Sequence, residues 1–102
     1  MAQFEIQDNT LVMRSDLGTR DITEFRRVTR EFLEAGHKDL VIDLSPLVTV
    51  SSTTVGMIVA THLRASERGL HLTIRVGEKA LSLFELMRLT DHLSIEVVPG
   101  EE

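Results

Sequence analysis

The chain has 102 residues, a formal net charge of −5 and no cysteine, which excludes disulfide staples and thiolate metal sites. Its 42% hydrophobic and 26% charged residues suit a folded domain with a core of its own rather than a disordered chain. An acidic balance with no Trp, no Tyr and four Phe excludes the basic, aromatic-rich surface of a typical nucleic-acid binder. No apolar run approaches the ~20 residues of a membrane span, and the opening residues lack a basic then apolar leader pattern. One cytoplasmic domain over residues 1–102 is the expectation.

In chain order, Phe4-Glu5-Ile6-Gln7 alternates apolar and polar, Asp8-Asn9 is turn chemistry, and Leu11-Val12-Met13 follows, so a β-hairpin is expected over Phe4 to Met13. The pattern breaks from Ser15 to Thr23, around Gly18, and predicts a loop. Ile22, Phe25, Val28, Phe32 and Leu33 then mark a helical stripe, with Arg26, Arg27, Arg30, Glu31 and Glu34 on its wet side and Gly36 at its end. Leu40-Val41-Ile42-Asp43-Leu44 is a near-continuous apolar strand, of the kind covered on both faces in a parallel sheet, and Pro46 ends its pairing.

A second helix is expected after the hydroxyl run Ser51-Ser52-Thr53-Thr54. Val55, Ile58, Val59 and His62 share its apolar face, Met57, Ala60 and Leu63 widen it, and Gly69 closes it. Gly56 within it is expected to let the helix backbone sit close to the sheet. Leu70 to Val76 alternates strictly and predicts a strand with one polar face. Ala80, Leu81, Phe84, Met87 and Arg88, with Leu83 and Leu86, predict a third helix. Leu93, Ile95 and Val97 alternate in a last strand before a frayed Pro99-Gly100-Glu101-Glu102 tail. The fold class is therefore α/β: a hairpin followed by αβαβαβ, giving a mixed, mostly parallel sheet of about five strands with helices packed against it.

The chemistry is sparse. His37, His62, His71 and His92 have no metal-ligand spacing, so no metal is expected. Glycine-rich nucleotide loops are absent, as is the Gly-x-Ser-x-Gly elbow, so no cofactor and no enzymatic activity are expected. What remains is the cluster Ser51 to Thr54 at a helix mouth. N-capping accounts for one hydroxyl, and a turn for a second. The other reading is a site that accepts a phosphoryl group, because free N–H groups and the positive dipole end of a first turn tolerate the added charge. The expected contact surface is Ser51, Ser52, Thr53 and Thr54, with Leu47 and Val48 beside them, while Val50 reads as a buried loop residue.

Three stretches together resemble the STAS domain, and within it the bacterial anti-sigma factor antagonists. Leu40 to Ser45 is similar to that family's strand ending in Asp-Leu-Ser, Ser51-Ser52-Thr53-Thr54-Val55-Gly56 takes the place of its Asp-Ser-Ser-Gly-Leu-Gly signature, and Leu83 to Leu93 resembles its third helix and following turn. In this register Ser51 stands where the family has aspartate and Ser52 where it has the phosphorylated serine. The resemblance implies a phosphoprotein of transcription regulation that works by partner switching. Ser52, with Ser51 and Thr53 as lesser candidates, would be phosphorylated by an ATP-dependent anti-sigma factor serine kinase and restored by a serine phosphatase. The unphosphorylated protein would bind that kinase and free a sigma factor. The alternative within the same family is an accessory subunit of a lipid-transport complex or a signalling scaffold, with no phosphorylation cycle.

Overall fold

The computed structural model describes residues 3–99. Strand β1 (Phe4–Gln7) turns through Asp8-Asn9 into β2 (Thr10–Met13), with Asp8 at φ 60°, a conformation aspartate tolerates. A short 3-10 turn (Thr19–Asp21) leads into α1 (Ile22–Leu33), then β3 (Asp39–Asp43), α2 (Ser52–Glu67), β4 (His71–Gly77), α3 (Glu78–Leu86) and β5 (Ser94–Val98). The expected loop over Ser15 to Thr23 thus contains a helical turn and overlaps the first two residues of α1. Gly36 (φ 101°) and Gly69 (φ 73°) follow α1 and α2 in the left-handed region that only glycine enters freely. The third helix stops at Leu86, short of Arg88, whose φ of 59° breaks the helical run.

The sheet order is β1-β2-β3-β4-β5, with β1 antiparallel to β2 and every later pair parallel. Each crossover adds its strand on the same side of the last. Right-handed crossovers that always advance in one direction place every helix on one face of the sheet. The register agrees: Leu11, Ile42 and Ile74 are partners across three strands and are all buried. The neighbouring row, Val12, Asp43, Arg75 and Glu96, is only partly covered or exposed, and there Arg75 pairs with Glu96 at 3.3 Å and Asp43 at 3.7 Å. The expectation that β3 is covered on both faces is therefore corrected. Val41 and Asp43 sit on an open face, and the strand's apolar run reflects sheet neighbours rather than a second helical layer.

Helix α1 buries Phe25, Val28, Thr29, Phe32 and Leu33, a stripe at helical spacing, and Phe25 meets Phe4 edge-on with ring centroids 5.6 Å apart. Its charged side is a solvated face, with Arg27 paired to Glu24 at 2.8 Å and to Glu31 at 3.1 Å. Helix α2 differs from expectation. Its buried stripe is Thr54, Val55, Ile58, Thr61 and Ala65; Val59 and His62 are half-buried and Leu63 is exposed. Threonine is acceptable inside because its hydroxyl is satisfied: Thr61 donates to the Met57 carbonyl at 2.8 Å. Gly56 faces solvent, and a Cβ added there would meet nothing within 4 Å, so it does not serve close approach to the sheet. On α3, Ala80 and Phe84 are buried, Leu83 is half-buried and Leu86 stands out in solvent. In and before β5, Leu93 is buried, Ile95 half-buried and Val97 exposed, as suits an edge strand. Of the expected frayed tail, Gly100 to Glu102 lie outside the described residues.

Candidate functional site

The segment between β3 and α2 is folded by its own apolar residues. Leu44, Leu47 and Val50 recur every third position and all are buried, while Val48 is 65% exposed. The amide of Leu47 donates to the Leu44 carbonyl at 2.9 Å, and the Ser45 amide to Asp43 Oδ1 at 2.9 Å, so the loop is a closed turn. It delivers Ser51 in extended conformation (φ −79°, ψ 163°) as the N-cap of α2, its Oγ accepting from the Thr54 amide at 3.2 Å.

A carboxylate from elsewhere completes the cap. Asp16, in the loop after β2, accepts from the Ser51 amide (3.0 Å to Oδ2), the Ser51 hydroxyl (3.2 Å to Oδ1), the Leu17 amide (3.0 Å) and the Thr54 hydroxyl. The Thr54 hydroxyl in turn accepts from the Leu17 amide at 3.0 Å. Partial burial pulls the Asp16 carboxyl up, but the hydrogen bonds from Thr54, Ser51 and Leu17 outweigh it and hold the group below the ordinary aspartate range.

The four hydroxyls consequently have different fates. Ser51 is half-buried and is the cap; Thr54 is fully buried and bonded; Thr53 is half-buried; Ser52 is exposed at the first position of the helix. Among the described residues no hydrogen bond engages the Ser52 hydroxyl, and none takes up the amides of Ser52 and Thr53. Of the residues expected at a contact surface, Thr54 and Leu47 are drawn into the core, whereas Val48 is exposed. Beside Ser52, one turn along, is the exposed Gly56.

Sequence reasoning missed Asp16. Nothing local marks it: it lies in a segment without periodicity, 35 residues from the serine it holds. Among the described residues no group of three or more His, Asp or Glu side chains could hold a metal ion, and no helix is long and apolar enough to cross a membrane.

Comparison with known proteins agrees with this architecture. The family model described as Mlab, STAS domain, matches residues 1–99, so the chain belongs to that STAS-domain family. No curated protein sequence matches it. A crystal structure of a Thermotoga maritima protein, described as a "putative anti-sigma factor antagonist", superposes with a TM-score of 0.67 at 21% identity, over 96% of this chain and 85% of that one. At that identity the likeness concerns the fold.

Proposed function

We propose that this STAS domain is an anti-sigma factor antagonist, a non-enzymatic protein-binding module of the cytoplasm switched by phosphorylation of Ser52. The observation that carries the reading is the division of labour in the hydroxyl cluster: Ser51 and Thr54 are anchored, Thr53 is half-buried, and Ser52 is exposed and unengaged at the start of the helix. In the transfer, Ser52 Oγ attacks the γ-phosphorus of ATP, the bond from that phosphorus to the ADP oxygen breaks, ADP leaves, and the hydroxyl proton passes to a base of the kinase. The product dianion would meet the free amides of Ser52 and Thr53 and the positive end of α2, so the fold tolerates it. Its effect falls on the docked partner, through like-charge repulsion and the cost of desolvating a phosphate. The docking surface would comprise Ser52, Thr53, the exposed edge of Ser51 and Val48. The partners would be an anti-sigma factor serine kinase, which the unphosphorylated form binds, and a serine phosphatase.

The test is incubation of the protein with the source organism's anti-sigma serine kinase and Mg-ATP, followed by intact mass and phosphopeptide mapping. One phosphate on Ser52 is expected, and Ser52→Asp should weaken kinase binding by about tenfold or more. An unmodified protein beside a kinase active on its own control substrate would refute the reading. A second reading, an accessory subunit of a lipid-transport complex or a signalling scaffold without a phosphorylation cycle, is favoured by serine at position 51, where the antagonist signature has an acidic neighbour beside the acceptor hydroxyl. Recovery of a transporter ATPase and no kinase in a pull-down would select it.

A further inference from the structure

One carboxylate ties together two segments far apart in sequence, with three donors on Oδ1 and the Ser51 amide on Oδ2. An ionised carboxylate is an acceptor only, with about four lone-pair sites. Asp16 receives four donors: the Leu17 amide, the Ser51 amide, the Ser51 hydroxyl and the Thr54 hydroxyl. A serine or threonine hydroxyl has one proton to give. Asp16 Oδ1 is the nearest acceptor to both the Ser51 and Thr54 hydroxyls, at 3.2 Å for Ser51 against 3.4 Å to the Leu17 carbonyl and the Thr54 hydroxyl, while their oxygens accept from the Thr54 and Leu17 amides respectively.

We propose that Asp16 is a positioning residue that decides which hydroxyls of the Ser51–Thr54 cluster are free, withholding Ser51 and Thr54 and leaving Ser52, exposed where Thr53 is half-buried, as the acceptor. The word acceptor rests on the function proposed above; the allocation of hydroxyls does not. For Ser51 Oγ to attack phosphorus it would have to turn from Asp16 and release the Thr54 amide, so the helix cap and the hydroxyl's bond to Asp16 would be lost together. Thr54 has no exposed surface at all. Ser52 carries neither constraint. The arrangement also requires aspartate in particular. Asparagine would place an NH2 group among four donors, and glutamate would push the carboxylate one methylene further into a half-buried site.

The experiment compares wild type, Asp16→Asn, Ser52→Ala and the Asp16→Asn/Ser52→Ala double variant. Amide hydrogen exchange by NMR is read first. In Asp16→Asn the amides of Leu17, Ser51 and Thr54 should exchange about tenfold faster or more, the equilibrium worth of a hydrogen bond to a charged group, with Ile42 and Ile74 in the central strands unchanged. Unchanged exchange at all three amides overturns the proposal. Should Asp16→Asn fail to fold, Thr54→Val takes its place, with faster exchange expected at Leu17 and Ser51. The second arm uses the kinase with Mg-ATP and phosphopeptide mapping. Ser52→Ala should take no phosphate, and the double variant should take it on Ser51. Phosphate on Ser51 in Ser52→Ala, or none on Ser51 in a folded double variant while wild type is modified, overturns the proposal. If wild type is itself unmodified, the acceptor reading of Ser52 fails while the exchange arm still decides the role of Asp16.

Discussion

Replacing Thr54 with valine separates the structural hydroxyls from the free one. Valine keeps the shape of threonine, so no cavity opens in the core. What is lost is the hydrogen bond from the Thr54 hydroxyl to the Asp16 carboxylate and the acceptor for the Leu17 amide. The amide keeps Asp16 Oδ1 at 3.0 Å, so it is not orphaned. One bond to a charged group contributes about 1.5–3 kcal/mol. At about 4–8 °C per kcal/mol for a domain of this size, the melting temperature should fall by roughly 6–24 °C. Ser52→Ala removes an exposed hydroxyl with no partner and should change stability by less than about 0.5 kcal/mol. The chain has neither Trp nor Tyr, so far-UV circular dichroism during urea or thermal unfolding is the suitable assay. A Thr54→Val protein as stable as wild type, or a Ser52→Ala protein less stable than Thr54→Val, would refute the account of the cluster.

Three further outcomes follow from the same structure. Because the folded-state pKa of Asp16 is depressed, its contribution is complete above the unfolded value of about 3.9 and is lost as pH falls through the folded value. Urea midpoints measured from pH 6 to pH 2 should therefore drop steeply for wild type and more gently for Asp16→Asn, the two curves converging at the acid end; parallel curves would contradict this. Gly56→Ala should stabilise the protein by about 0.5–1 kcal/mol, since the glycine is exposed in a helix interior and an added Cβ meets nothing; destabilisation in chemical unfolding would show a hidden contact. Phe84→Ala removes a fully buried ring from α3 and should cost about 3–5 kcal/mol, a large part of the about 5–15 kcal/mol typical of a domain, read as a lowered urea midpoint by circular dichroism.

The hairpin, the alternation of helices and strands, and the stripe of α1 were legible in the chain because each is a local periodicity. Phe25, Val28, Phe32 and Leu33 declare a helix face whatever surrounds them, and Leu72, Ile74 and Val76 a strand face. The strand Leu40 to Leu44 misled, because an apolar run does not state how many layers will cover it. That depends on crossover direction, and every crossover here leads to the same face. Helix α2 misled in a similar way: threonine reads as polar, yet Thr54 and Thr61 are inside once an acceptor is supplied.

The hydroxyl cluster shows the boundary most sharply. Residue order alone marked Ser51 to Thr54 as a helix mouth, and only the resemblance to the STAS signature singled out Ser52. It could not apportion the hydroxyls, because the partner that does so is a carboxylate in another loop, brought within hydrogen-bond reach only when β2 and β3 pair side by side. Local pattern determines the elements, since it depends on neighbours a few residues away. The assignment of Ser51 as cap, Thr54 as buried tie and Ser52 as free surface belongs to tertiary structure, since a hydrogen bond depends on distance in space.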